Sequence, residues 1–217
     1  MAYLAIKDLH AVIELLFKRK NPARGDDMKY KLPEGFDKRE EAIEALLKRE
    51  SDIVESTLSE IRDLVKRFLL TEKGYSSDEI ETACEFDVTT GGKAARSFVD
   101  LVVSVNGRRL LSIKCAPDSL VSRERHALGC ARLLDSSQVP FAVITDGLDA
   151  IVLDTVSGDV MGESMNAIPS KKQLASAIAQ IEFVILDPKK IEKEKRIVCA
   201  FDAIGYSGGL RGQKGSP

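Results

Sequence analysis

The chain is poor in the residues that announce a zinc or redox centre. It has two histidines, His10 and His126, and four scattered cysteines, Cys84, Cys115, Cys130 and Cys199, with no CxxC pair. That spacing argues against a structural zinc site. Scattered thiols of this kind are expected to be reduced and buried, in a cytoplasmic protein. No run approaches the ~18 apolar residues of a membrane span. The first apolar positions are interleaved with Lys7, Asp8, His10 and Glu14, so they do not read as a signal peptide. Charge of one sign is also missing: 32 Lys and Arg stand against 34 Asp and Glu, a formal net charge of −2. No global basic field marks a nucleic-acid partner, and any DNA contact would fall to local clusters such as Arg108-Arg109 or Arg123 and Arg125.

Two short stretches imitate motifs that the chain lacks. "GYSGG" (205–209) matches G-x-S-x-G, but a helix is expected before it and no Asp or His follows, so no nucleophile elbow is expected. "TTGGKAAR" (89–96) resembles a phosphate loop. Asp87 stands where the first glycine belongs and Ala94 replaces the Mg-binding Ser or Thr. No ATP binding by this chain is expected.

What is present is a chain of 217 residues, 44% of them hydrophobic, enough for one or two globular domains. Residues 3–20 carry an amphipathic helical stripe (Leu4, Leu9, Val12, Ile13, Leu16, Phe17), followed by the breakers "NPARGDD" and "KLPEGF". A long helical region runs from Asp37 to about Leu70, with Ser51 a candidate division, and Gly74 stops it. Strands are expected over 83–90, 97–106, 108–116, 140–147 and 150–159, with a helix over about 119–135 between the third and fourth. Helices are expected again at 170–181 and 189–203. The Gly-rich tail, 206–217, reads as disordered. The expected organisation is an N-terminal helical extension (1–50), an α/β domain (51–205) and the tail.

The hairpin around Asn106-Gly107 carries the chemistry. A two-residue turn would place Asp100 and Lys114 on opposite faces. A three-residue loop (Val105, Asn106, Gly107) would set Ser104 against Arg108 and Asp100 across from Ser112, on the face of Lys114. The hydrophobic pattern favours the second register. It gives one apolar face of Val99, Leu101, Val103, Leu111, Ile113 and Cys115, and gathers Asp100, Ser104, Ser112 and Lys114 on the other. An Asp and a Lys sharing a face form either a half-buried salt bridge or part of a site in which carboxylates hold Mg²⁺ while a lysine assists at the attacked phosphate.

The ordered set "EIRDLVKRFLLTEKGY" (60–75), "CEFDVTTGGKAARSFVDLVVSVNGRRLLSIKCAP" (84–117), "ERHALGCARLL" (124–134) and "VPFAVITDGLDAIVLDTVSGD" (139–159) resembles the PD-(D/E)xK nuclease superfamily. Within it, the resemblance is to the N-terminal nuclease-like domain of type I restriction enzyme R subunits. It implies an α/β, restriction-endonuclease-like mixed central sheet of about five strands flanked by helices, here with an extra N-terminal helical region. It gives Asp100 the metal-binding role, Lys114 the catalytic one, and Glu85 that of the acidic residue on the preceding strand. Ser112 stands in place of the motif's Asp or Glu, His126 in place of a helix glutamine and Cys130 in place of a tyrosine. The second carboxylate would then come from Glu124 on the following helix or from Glu60 on the helix before the sheet. Glu124 and His126, two residues apart on a helix, point about 200° apart and cannot easily share the site.

Two functions follow from the resemblance. One is a Mg²⁺- or Mn²⁺-dependent DNA endonuclease with an S-x-K motif. The other is a nuclease-fold module that no longer cleaves and binds DNA or a partner protein, with self-association through the N-terminal helices as a further route.

Overall fold

The computed structural model describes residues 38–117 and 119–203. The expected helix at 3–20, the "GYSGG" stretch and the Gly-rich tail lie outside them. The chain divides into two compact units, Met1–Ile53 and Val54–Pro217, and the sheet belongs to the second.

Helix α1, Arg39–Thr71, runs unbroken through Ser51. Its end is closed at Gly74, whose φ of 74° suits glycine. The next residue, Tyr75, donates its N–H to Leu69 O at 3.1 Å, six residues back. Six strands follow, β1 (Ile80–Thr90), β2 (Lys93–Val105), β3 (Arg108–Cys115), β4 (Phe141–Thr145), β5 (Ala150–Asp154) and β6 (Val160–Glu163). They lie in chain order across one sheet. All neighbours are antiparallel except β3 and β4, and that parallel pair is joined by the crossover helix α2 (Leu120–Leu133). Helices α3 (Lys171–Ala177) and α4 (Pro188–Ala203) complete the chain.

The "TTGGK" stretch is a two-residue hairpin turn, with Gly91 and Gly92 at φ 56° and 77° and Thr90 paired with Lys93. The strand expected over 150–159 ends at Asp154. There the Asp154 carboxylate accepts Ser157 N–H at 2.7 Å and Gly158 takes a φ of 85°. The chain then returns as β6, a sixth strand beyond the five expected.

Each face of the sheet is covered. Leu58, Ile61, Val65 and Leu69 of α1 pack with Leu101, Val103, Leu111, Ile113 and Val143. On the other face Ala127, Leu128, Cys130 and Ala131 of α2, with Val198 of α4, pack with Val99, Val102, Ala142 and Ile144. Alternate residues of β4 go to opposite cores, as a strand buried on both sides requires.

The central hairpin keeps Asp100 and Lys114 in contact by a different path, and Ser112 pairs with Val102, not with Asp100. Its turn is the two-residue one, with Asn106 and Gly107 at φ 53° and 73° and Val105 opposite Arg108. The three-residue loop is therefore not formed. Positive φ at both turn residues matches the twist of the flanking strands, which a looser loop would not. The face is restored by a bulge. Ser104 pairs with Arg109 but Val103 with Leu111, leaving Leu110 as the extra residue. Leu110 and Leu111 both enter the α1-side core. Val99 is a second correction, since it lies in the α2-side core, not with Leu101. On β1, Thr82 pairs with Leu101 and Cys84 with Val99, while Ala83, at φ 53°, is skipped. The ladder is irregular at Asp100, and the faces change over there.

Candidate functional site

Asp100 sits at that irregularity, 1% exposed. Its Oδ2 accepts the N–H of Cys115 at 2.8 Å and lies 3.5 Å from Lys114 Nζ. The lysine, itself buried, also donates to Phe98 O at 3.1 Å and rests 3.8 Å from the centre of the Phe98 ring. Asp100 Oδ1 has no hydrogen-bond partner among the described residues. The cation facing it is Arg62 of α1, whose Nε lies 3.7 Å away. Arg62 is fixed by donating Nε–H to Leu58 O at 3.2 Å and Nη2–H to Glu55 at 2.7 Å. Burial lowers the guanidinium's pKa, but the Glu55 hydrogen bond and the Asp100 charge outweigh that and hold it above its usual value.

The chain thus brings Asp100 and Lys114 together, and among the described residues none of the expected acids Glu85, Glu60 or Glu124 pairs with either cation beside Asp100. Ser112 is fully buried, and its hydroxyl has no hydrogen-bond partner among the described residues. Glu85 is ion-paired to Arg96 at 3.1 Å, with its side chain 61% exposed. Glu60 is exposed on α1. With Arg62 turned toward Asp100, a residue two positions earlier points about 200° away from it. Glu124 is half-exposed and, among the described residues, makes no ion pair with Arg62 or Lys114. His126 is buried on the adjacent face of α2. Its Nε2 lies 3.1 Å from Asp202 Oδ1, and its ring stacks on Phe201 of α4 at 5.1 Å between centroids. Burial pushes its pKa below the ordinary histidine value, with Lys114 and Arg123 adding to the effect and Asp202 opposing it.

This donor set does not fit Mg²⁺ or Mn²⁺. Such ions keep several waters and take one or two carboxylates together with substrate oxygens. Asp100 offers one buried carboxylate already flanked by two cations. Among the described residues no group of three or more His, Cys, Asp or Glu side chains could hold a metal ion. The notch lined by Lys114, Arg123 and His126 encloses about 10 Å³, roughly the space of one water. The thiols nearby are quiet, since burial raises Cys130 to about 12 and Cys115 well above its usual value.

Two groups escape a reading of the sequence alone. Arg62 carries a charge beside the apolar stripe Leu58, Ile61, Val65, Leu69. Glu194 does the same on α4, one turn before Val198, and is 3% exposed. It accepts from Arg125 at 2.6 Å and from Arg132 at 3.0 Å, which clamps α4 to α2. The available signal was a charged residue at a stripe position.

No curated protein and no solved structure matches the chain. The family model of the type I restriction enzyme R protein N terminus matches residues 58–169, just over half of it. The match begins in the Leu58 turn of α1, spans the Asp100–Lys114 hairpin and α2, and ends beyond β6. The sheet, its crossover helix and this hairpin form a restriction-endonuclease-like fold, and the chain belongs to the type I restriction enzyme R protein N-terminal family.

Proposed function

We propose that this chain is a nuclease-fold module of the R-subunit kind that does not hydrolyse phosphodiesters and works by docking to a protein partner. The observation that carries the reading is the charge around Asp100. One buried carboxylate is neutralised by Lys114 and Arg62 within 4 Å, and the position for a second carboxylate is held by a hydroxyl.

Protein docking is favoured over DNA because Arg62, Arg96, Arg109, Arg125 and Arg132 each face a carboxylate. Meanwhile the β5–β6 turn and edge strand expose Val156, Val160 and Met161. An edge strand with apolar side chains outward is a template for another chain. The DNA reading rests on one observation, the exposed face of α4 bearing Lys189, Lys190, Lys193 and Arg196. Duplex DNA titrated with the protein across a salt series separates the two. The docking reading expects no binding at moderate salt. An affinity that falls steeply with salt, and is lost on Lys190→Glu/Lys193→Glu, would replace it with the DNA reading.

A further inference from the structure

We infer that Arg62 is the built-in counter-cation of Asp100, so that this buried acid is balanced by the chain itself and takes no divalent ion. This deepens the non-hydrolytic reading and rests on it. Arg62 reaches Asp100 across 38 residues of sequence, from the helix on one side of the sheet to the strand irregularity. It faces the one carboxylate oxygen, Oδ1, that no hydrogen bond satisfies among the described residues. A buried carboxylate needs compensation on both oxygens. Oδ2 has Cys115 N–H and Lys114, and the guanidinium is what stands at Oδ1.

Among the described residues, the four linked charges close without an ion. Asp100 and Glu55 are two acids, Lys114 and Arg62 two bases, linked through contacts of 3.5, 3.7 and 2.7 Å. A dication brought to Oδ1 would meet Arg62 at close range and leave the cluster with an excess positive charge. The position of Arg62 is also prepared for this task. Its side chain is 24% exposed, and its Nε–H is held by the Leu58 carbonyl, so it meets Oδ1 by charge and not by a hydrogen bond. A partnership with Glu55 alone would not need the guanidinium beside a fully buried acid.

The test uses the full chain and Mn²⁺ as the probe, followed by thermal melting and by water-proton relaxation. Wild type should melt at the same temperature with Mn²⁺ or with EDTA. Arg62→Glu, which sets an acid opposite Asp100, should melt lower in EDTA and regain about 5 °C or more as Mn²⁺ saturates it. Arg62→Gln should melt lower and not respond, and Glu55→Gln should leave the wild-type indifference to Mn²⁺ intact. A saturable Mn²⁺ response of the wild type that disappears in Asp100→Asn would overturn the inference. So would a folded Arg62→Glu that ignores Mn²⁺. If Arg62→Glu does not fold, the wild-type and Asp100→Asn titrations decide alone. A wild type that binds Mn²⁺ at Asp100 yet leaves DNA uncut overturns this inference only. Asp100-dependent cutting overturns the functional reading.

Discussion

Lys114 and His126 set the consequences at the scale of single residues. Lys114 is 4% exposed and pairs with an acid that is 1% exposed, so removing its charge leaves Asp100 partly uncompensated inside the protein. Lys114→Met keeps the bulk and should lower unfolding stability by about 3 kcal/mol in a urea titration, the scale for breaking a buried pair. A loss below ~1 kcal/mol would show that the pair is solvated. His126 gives a pH dependence. Its folded-state pKa is depressed, so as pH falls the unfolded chain takes up the proton first. The stability carried by the neutral imidazole is full above about 6.5 and declines as pH falls below it. Replacing it in His126→Gln should flatten that part of the stability profile, while Asp202, Lys114 and Arg123 still surround the position. The contact of Asp100 with Lys114 was legible as a shared polar face of the hairpin, although the bulge at Leu110 and the irregularity at Asp100, not simple alternation, produce it. Arg62 was not, because its acid lies 38 residues away, and a helix pattern records only that an arginine borders an apolar stripe.

Among the elements, the packing of α4 on α2 is set by one glycine. A Cβ at Gly129 would come within 2.9 Å of Val198 Cγ2 and 3.5 Å of Glu194 Oε2. Alanine in a helix interior is ordinarily better than glycine by roughly 0.5–1 kcal/mol. Gly129→Ala should instead destabilise, by about 1–3 kcal/mol, and Val198→Ala added to it should recover part of the loss. A plain gain of stability would mean that α4 gives way easily. Glu194→Gln removes the acid that both Arg125 and Arg132 address, and it should cost about 3–5 kcal/mol. Sequence pattern located these helices closely, since their stripes are periodic. It misread the β2–β3 turn, because parity alone cannot tell a three-residue loop from a two-residue turn followed by a bulge at Leu110. It missed β6 because four residues, Val160–Glu163, are too few to show alternation.

For the whole molecule, the family's architecture is present from α1 through β6, and the hairpin still carries an aspartate and a lysine in contact. The sheet and its two cores are specified by apolar residues on either side of Ser112, whereas a metal centre would depend on where a few acids project. Glu85, Glu60 and Glu124 were readable as candidates by type and order, but their direction is a tertiary property. Glu85 turns to Arg96, and Glu60 lies away from the face that Arg62 presents. The proposed module does not cut DNA. This is tested most directly by the nicking time course of supercoiled plasmid with Mg²⁺ or Mn²⁺, run on wild type, Asp100→Ala and Lys114→Ala prepared alike. All three should show the same background rate. A wild-type rate that both substitutions abolish would contradict it.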